Sequence, residues 1–217
     1  MKKDFIIVLA WPEGMVTAAG AWYDRILSKK GKYRVGHSAL ALVESNSGKV
    51  KYFDFGRYHT PYGYGRVRDI ETDLDLSISE TANIKNGSIK NIDKILIEIE
   101  SNKANHGEGK LYASVLEGIN FNKAYKKAKN MQDKGMIKYG PLIPNGTNCS
   151  RFVAEVMRAS DLGIIKYLRL RFPFCISPSP KRNVSIGNNN YYIVDNGKCT
   201  RVSKNKIRAY FTTIEKV

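Results

Sequence analysis

Residues 148–153, Asn148-Cys149-Ser150-Arg151-Phe152-Val153, mark the point where a loop turns into a helix, and their reading decides the fold. The preceding Gly140-Pro141-Leu142-Ile143-Pro144-Asn145-Gly146-Thr147 holds two prolines and two glycines, so it cannot be helical, and Asn148 is a good helix cap. From Cys149 onward, Phe152, Val153, Val156, Met157 and Ser160 recur at steps of three and four. That spacing predicts a helix with one apolar face, running to about Asp161-Leu162-Gly163. A thiol on the first turn feels the positive end of the helix dipole and unpaired backbone N–H groups, which favour the thiolate and can cradle an oxyanion. The competing reading of Cys149 is a small buried hydrophobe, and its company decides between the two.

Outward from that helix, the composition is that of an ordinary globular protein. With 217 residues, 42% hydrophobic and 26% charged, the chain can bury a full core without staples. Its three cysteines, Cys149, Cys175 and Cys199, are widely spaced and suggest neither a disulfide framework nor a zinc site. No metal or cofactor is expected, and a reducing, cytoplasmic compartment fits best. The apolar run near the start is short, follows Asp4 and ends at Trp11-Pro12-Glu13, so it reads as a buried first strand rather than a secretory signal. No stretch approaches the roughly 18 apolar residues that span a bilayer.

The net charge of +16 favours an anionic partner, either an acidic polymer or a membrane surface. No nucleic-acid-binding motif accompanies it. The densest basic stretch, Asn122 to Lys129, reads as the solvated face of a helix.

Residues 4–10 predict a strand and Val16 to Leu27 a short helix. Val35 to Glu44 and Lys49 to Phe55 predict a hairpin closed by Ser45-Asn46-Ser47-Gly48. If Glu44 faces Lys49, Asp54 faces Ala39 and lies on the same face as His37, one diagonal step away. A one-residue slip would send it to the other face. Gly56 to Gly65 is a tyrosine- and glycine-rich loop. Lys94 to Glu100 predicts a strand, and Leu111 to Leu116 and Phe121 to Lys134 predict helices. Ser177 to Asn183 predicts a loop, and Tyr191 to Val194 and Lys206 to Phe211 late strands. With no internal repeat and no long linker, the expectation is one α+β domain over residues 1–217, with a loop-rich elaboration at about 56–92.

A thiol hydrolase needs a thiolate, an imidazole to share its proton and a polar group to orient the imidazole. Cys149, His37 and Asp54 offer those three types. His37 sits inside the apolar run Gly36-His37-Ser38-Ala39-Leu40-Ala41-Leu42-Val43, where a histidine without a partner is costly. His59 and His106 lie in polar surroundings and are weaker candidates.

Lys138-Tyr139-Gly140 followed by Asn148-Cys149-Ser150-Arg151-Phe152-Val153 resembles the signature of the NlpC-type papain-like cysteine peptidases. The Asn-Cys and Phe-Val elements are also similar to the lecithin retinol acyltransferase family. Because His37 precedes Cys149, the order matches the circularly permuted branch of that superfamily. The resemblance covers roughly residues 35–55 and 138–158. It implies a permuted papain-like α+β fold in which a small antiparallel sheet packs against the helix carrying the cysteine. It also implies Cys149 as nucleophile, His37 as base, Asp54 as the third polar residue, Tyr139 on the oxyanion side, and Asn148 in place of the usual Asp. Arg151 departs from the family's glycine.

The expected activity is cleavage of a peptide-like amide through an acyl-enzyme. Lipid acyl transfer or thioester hydrolysis is the alternative within enzymes, with Ile164-Ile165 and Phe172-Pro173-Phe174 as candidate walls of an acyl groove. A non-catalytic module for an anionic partner is the alternative outside them.

Overall fold

In the computed structural model, residues 3–18, 22–28, 30–34, 36–172 and 179–205 are described. The first strand, β1 (Asp4–Trp11), is buried along almost its whole length because both of its faces meet a core. Ile6, Val8 and Ala10 point into one apolar cluster, and Phe5, Ile7, Leu9 and Trp11 into another. That two-sided burial explains a continuous apolar run where alternation would mark a half-exposed strand.

The predicted helix at Val16 to Leu27 is replaced by a small two-stranded excursion, β2 (Met15–Thr17) and β3 (Lys32–Arg34), with the single-turn α1 (Asp24–Leu27) between them. The chain then enters β4 (His37–Val43) and β5 (Val50–Gly56), the expected hairpin. Its register has Ala39 opposite Asp54, as the turn length predicts. In the loop-rich region that follows, β6 (Tyr64–Arg68) joins the same sheet, and β7 (Ile84–Lys85) with β8 (Ser88–Ile89) forms a separate minimal ribbon.

Two predicted element types are exchanged. Lys94 to Glu100 lies in a helix, α2 (Ile92–Ser101), whose buried Ile92, Ile95, Leu96 and Ile99 follow helical spacing; the wider window carries the period that the short one hides. Leu111 to Leu116 lies in a strand, β9 (Leu111–Ile119), flanked by β1 and a late strand and therefore apolar on both faces. Next come α3 (Phe121–Gln132), β10 (Ile137–Lys138) and α4 (Cys149–Ala159). The lysines of α3 are more than a solvated face: Lys123, Lys127 and Lys129 reach Asp161, Glu155 and Glu71, each at 2.8 Å.

The helix α5 (Ile164–Arg171) precedes α6 (Pro180–Gly187), which replaces part of the expected loop. There the Ser179 hydroxyl accepts from the Arg182 N–H and Pro180 fills the first helical position, so a Ser-Pro pair that reads as a break is a helix start. The strands β11 (Asn190–Asp195) and β12 (Lys198–Ser203) close the order, while the strand predicted at Lys206 to Phe211 lies outside the described residues.

Among the described residues, eight strands form one sheet in the order β10-β6-β5-β4-β1-β9-β11-β12, antiparallel throughout. This α+β sheet is larger than the small one expected, and helices cover both faces. Residues of α3, α4 and α6 share a core with Ile6, Val8, Leu40 and Leu42, and those of α2 share the opposite core with Phe5, Ile7 and Ala41. No described helix is long and apolar enough to cross a membrane.

Candidate active site

The loop before α4 folds back on itself. Tyr139 and Thr147 form a bridge, the Gly140 N–H donates to the Thr147 carbonyl at 2.9 Å, and the Thr147 N–H donates to the Lys138 carbonyl at 2.9 Å. This closure brings Tyr139 and Cys149 to the wall of one cleft of about 500 Å³. Asn148, in extended backbone, caps α4 by accepting the Arg151 N–H on its side-chain oxygen at 2.9 Å. Cys149 is therefore the first residue of the helix, largely buried, at the end where unpaired N–H groups and the dipole favour an anion.

His37 opens β4, opposite Trp11 of β1, and its ring stacks on the indole with centroids 5.8 Å apart. Gly36 makes this entry possible. Its φ is +67°, and a Cβ there would lie 2.1 Å from the Trp11 carbonyl oxygen, closer than any side chain can approach. His37 is only 12% exposed at its side chain and faces the same cleft as Cys149.

Asp54 is fully buried, one diagonal step from His37, with its Oδ2 3.4 Å from the His37 Nε2. That distance makes an electrostatic contact, while the hydrogen-bond geometry of Nε2 is unsatisfied. The ring's remaining nitrogen, Nδ1, is then the one available to the sulfur.

The carboxylate itself is taken by a residue the sequence did not single out. Arg68, opposite Asp54 on β6, donates from Nε to Oδ1 at 2.9 Å and from a terminal nitrogen to Oδ2 at 2.6 Å. The Tyr52 hydroxyl adds a longer contact to Oδ2 at 3.2 Å, and Arg68 also donates to the Ala104 carbonyl at 3.1 Å. The Tyr58 ring lies under the Arg68 guanidinium at 3.6 Å, and His106 stacks on Tyr58 at 4.5 Å.

The electrostatics follow from these contacts. Burial alone would raise the Cys149 thiol, but hydrogen bonding and charge from His37, with help from the Ser150 hydroxyl and the Ser38 N–H, hold it below its ordinary value. Burial alone would lower the His37 imidazole; Asp54 and the Cys149 sulfur outweigh it and raise the imidazole to about 9. Burial would likewise raise Asp54, and His37 with Arg68 keep it low. All three directions favour the thiolate beside an imidazolium, with a carboxylate behind it. Tyr139 stacks on Phe55 at 5.9 Å; burial and then the nearby Cys149 charge hold its hydroxyl protonated well beyond the usual range.

The structure thus brings Cys149, His37, Asp54 and Tyr139 together, and Asn148 serves the same helix start as its cap. His106, rated weak from sequence, lines the cleft; His59 is not among the residues that line it. Ile164 and Ile165, candidate walls of an acyl groove, are exposed and line a separate cleft with Leu116 and Ile119, while Pro173 and Phe174 lie outside the described residues. Cys149 and Cys199 are free thiols, and Cys175 also lies outside the described residues. Among the described residues, no group of three or more His, Cys, Asp or Glu side chains could hold a metal ion.

Residues 6–163 match the family model described as type VI secretion system effector TseH-like. The crystal structure of a type VI secretion system effector, TseH, is similar in fold, with a TM-score of 0.61 and 20% sequence identity, covering 92% of this chain and 98% of that one. No curated protein matches the chain.

Proposed function

The chain belongs to the TseH-like family of type VI secretion system effectors, and from that premise we propose that it is a thiol hydrolase that cleaves a peptide-like amide through Cys149, His37 and Asp54. The observation that carries the reading is the depressed Cys149 thiol beside a raised His37 imidazole, both facing a cleft large enough for a peptide. The order of His37 before Cys149, on a sheet and on a helix start, supports a circularly permuted papain-like fold over a single domain of residues 1–217.

In this mechanism the Cys149 thiolate attacks the carbonyl carbon, and the C=O pair moves onto oxygen. The Cys149 N–H, at the open end of α4, and the Tyr139 hydroxyl stabilise that oxyanion. As the carbonyl re-forms, the C–N bond breaks and the His37 imidazolium gives its proton to the departing amine. Neutral His37 then takes a proton from water, which attacks the thioester; the acid leaves, and the proton restores the ion pair. Asp54 holds the charge on the ring, and Arg68 holds Asp54.

The wall chemistry favours a peptide over an acyl chain. Tyr58, Tyr62, Tyr139, Arg57, His106 and Glu108 bring hydrogen-bonding groups to the cleft, and the apolar Ile164 and Ile165 are elsewhere. Cell-wall peptides are the first substrates to assay. An effector works in whatever compartment its secretion machine reaches, so the cytoplasmic expectation does not carry over to its site of action.

The test is the release of new amino groups from peptide-linked cell-wall fragments, together with iodoacetamide labelling at neutral pH. Cys149→Ala should abolish amine release and the fast phase of labelling, leaving the remaining thiols to react slowly, and His37→Ala should slow both. Amine release that persists in Cys149→Ala would end the proposal.

A further inference from the structure

The helix α5 presents an apolar stripe to solvent. Ile164 and Leu168 fall one turn apart along it, Phe172 continues the row as the residue that caps its end, and Ile165 widens it, at 67%, 44%, 66% and 62% exposure. Four large apolar side chains gathered on one short helix and its C-cap are unlike single exposed hydrophobics scattered over a surface.

The helix is fixed to the body by its other side. Leu170 is buried in the core shared with α4, the Lys166 ammonium donates to the Gly187 carbonyl at 2.7 Å, and Arg158 donates to the Leu170 carbonyl at 3.3 Å. Arg169 and Arg171 stand on the two flanks of the stripe. A cleft of about 360 Å³ adjoins it, walled by Leu116, Ile119, Leu162, Ile164 and Ile165, so the apolar surface deepens into the protein. The acidic groups in that wall are Asp161, paired with Lys123 at 2.8 Å, and Glu117.

An apolar stripe bracketed by arginines on a chain of net charge +16 fits one environment well: the boundary between anionic headgroups and acyl chains. We propose that α5 docks this protein on membranes rich in anionic phospholipid. Ile164, Ile165, Leu168 and Phe172 enter the acyl boundary, and Arg169 and Arg171 lie at the level of the phosphates. A nucleic acid would use the charge and leave the apolar stripe in water, and a second copy of this chain would bring its own arginines against these. The inference stands apart from the chemistry at Cys149 and survives if that reading fails.

The test is co-sedimentation of the full chain with vesicles of phosphatidylglycerol and phosphatidylethanolamine, and with vesicles of phosphatidylcholine alone. Partitioning onto the anionic vesicles should be at least about tenfold stronger. The exposed double variants Ile164→Ser/Leu168→Ser and Ile165→Ser/Phe172→Ser should each lose about tenfold while keeping the wild-type circular dichroism. Arg171→Gln should lose a few-fold at low salt. Equal binding to both vesicle types would overturn the proposal, as would serine variants that bind like wild type, since charge alone would then explain attachment. Self-association that the serine variants abolish, with no vesicle binding by the wild type, would assign the stripe to a second copy instead.

Discussion

Arg68 grips Asp54 by both carboxylate oxygens, at 2.9 and 2.6 Å, more closely than the His37 ring approaches it at 3.4 Å. The carboxylate is thus held from behind, and its orientation toward His37 is set by a residue two strands away from the histidine. Removing one partner of a buried ion pair strands the other, at about 3–5 kcal/mol. Arg68→Met should therefore lower unfolding stability by roughly that much. Arg68→Lys keeps the charge but loses the two-pronged grip. It should recover part of the stability while the labelling rate of Cys149 stays depressed, because the lysine cannot fix both oxygens. If the Arg68→Lys protein labels at the wild-type rate at every pH, Arg68 is a structural brace alone.

The opposed shifts of Cys149 and His37 make an unusual stability profile. His37 is raised from 6.5 to about 9, so its contribution is complete below pH 6.5 and fades as pH climbs through about 9. Cys149 is lowered from 9.0, so its contribution is complete above that value and fades as pH falls through its depressed folded value. From pH 9 down to 6.5, or to the folded value of Cys149 where that is higher, the two offset: the folded pair holds one proton on nitrogen, and the unfolded pair holds one on sulfur. Urea unfolding should give a nearly flat contribution from the pair across that window and a loss of stability on the acid side. Asp54 and His106, both lowered, add to the acid loss with the same sign. The acid loss should shrink in Cys149→Ala. A wild-type stability that declines steadily from pH 6.5 to 9 would mean that the thiol stays protonated beside the imidazolium.

Gly36 should tolerate no side chain. With φ at +67° and the Trp11 carbonyl 2.1 Å from a would-be Cβ, Gly36→Ala must shift either β1 or the start of β4. The expected cost is more than about 2 kcal/mol, together with slower labelling of Cys149, since the displaced residue is next to His37. A thermal melt and a labelling time course measure the two effects.

Tyr139→Phe separates the hydroxyl from the ring. The stack on Phe55 survives in phenylalanine, so stability should change by less than about 1 kcal/mol. If the hydroxyl donates to the oxyanion, kcat should fall by about a hundredfold with KM little changed. A rise in KM alone would move Tyr139 to substrate binding.

The hairpin register was legible because a four-residue turn between two apolar runs leaves one pairing that buries both, and Asp54 lands opposite Ala39 by that count. The cap at Asn148 was legible for a similar local reason. Arg68 was not. The seven residues between Gly56 and Tyr64 carry no turn signature that fixes a register, so nothing local tells which residue of β6 faces Asp54. The exchange of α2 and β9 has a tertiary cause. A strand covered on both faces loses the alternation that marks it, and a short window of Ile95-Leu96-Ile97 cannot show a period of 3.6.

Asn148 tests whether the position before the nucleophile caps, binds substrate, or both. Its side-chain oxygen accepts the Arg151 N–H at 2.9 Å, a bond that aspartate can make equally well and alanine cannot. Asn148→Ala should cost about 1 kcal/mol, and Asn148→Asp should match the wild type in stability or exceed it slightly, since a carboxylate also suits the positive end of the dipole. The same carboxylate sits beside Cys149 and disfavours its thiolate, so the Asn148→Asp labelling profile should move to higher pH while the melt does not fall. A profile unchanged in Asn148→Asp would mean that the sulfur is shielded from the cap and that His37 alone sets its ionisation.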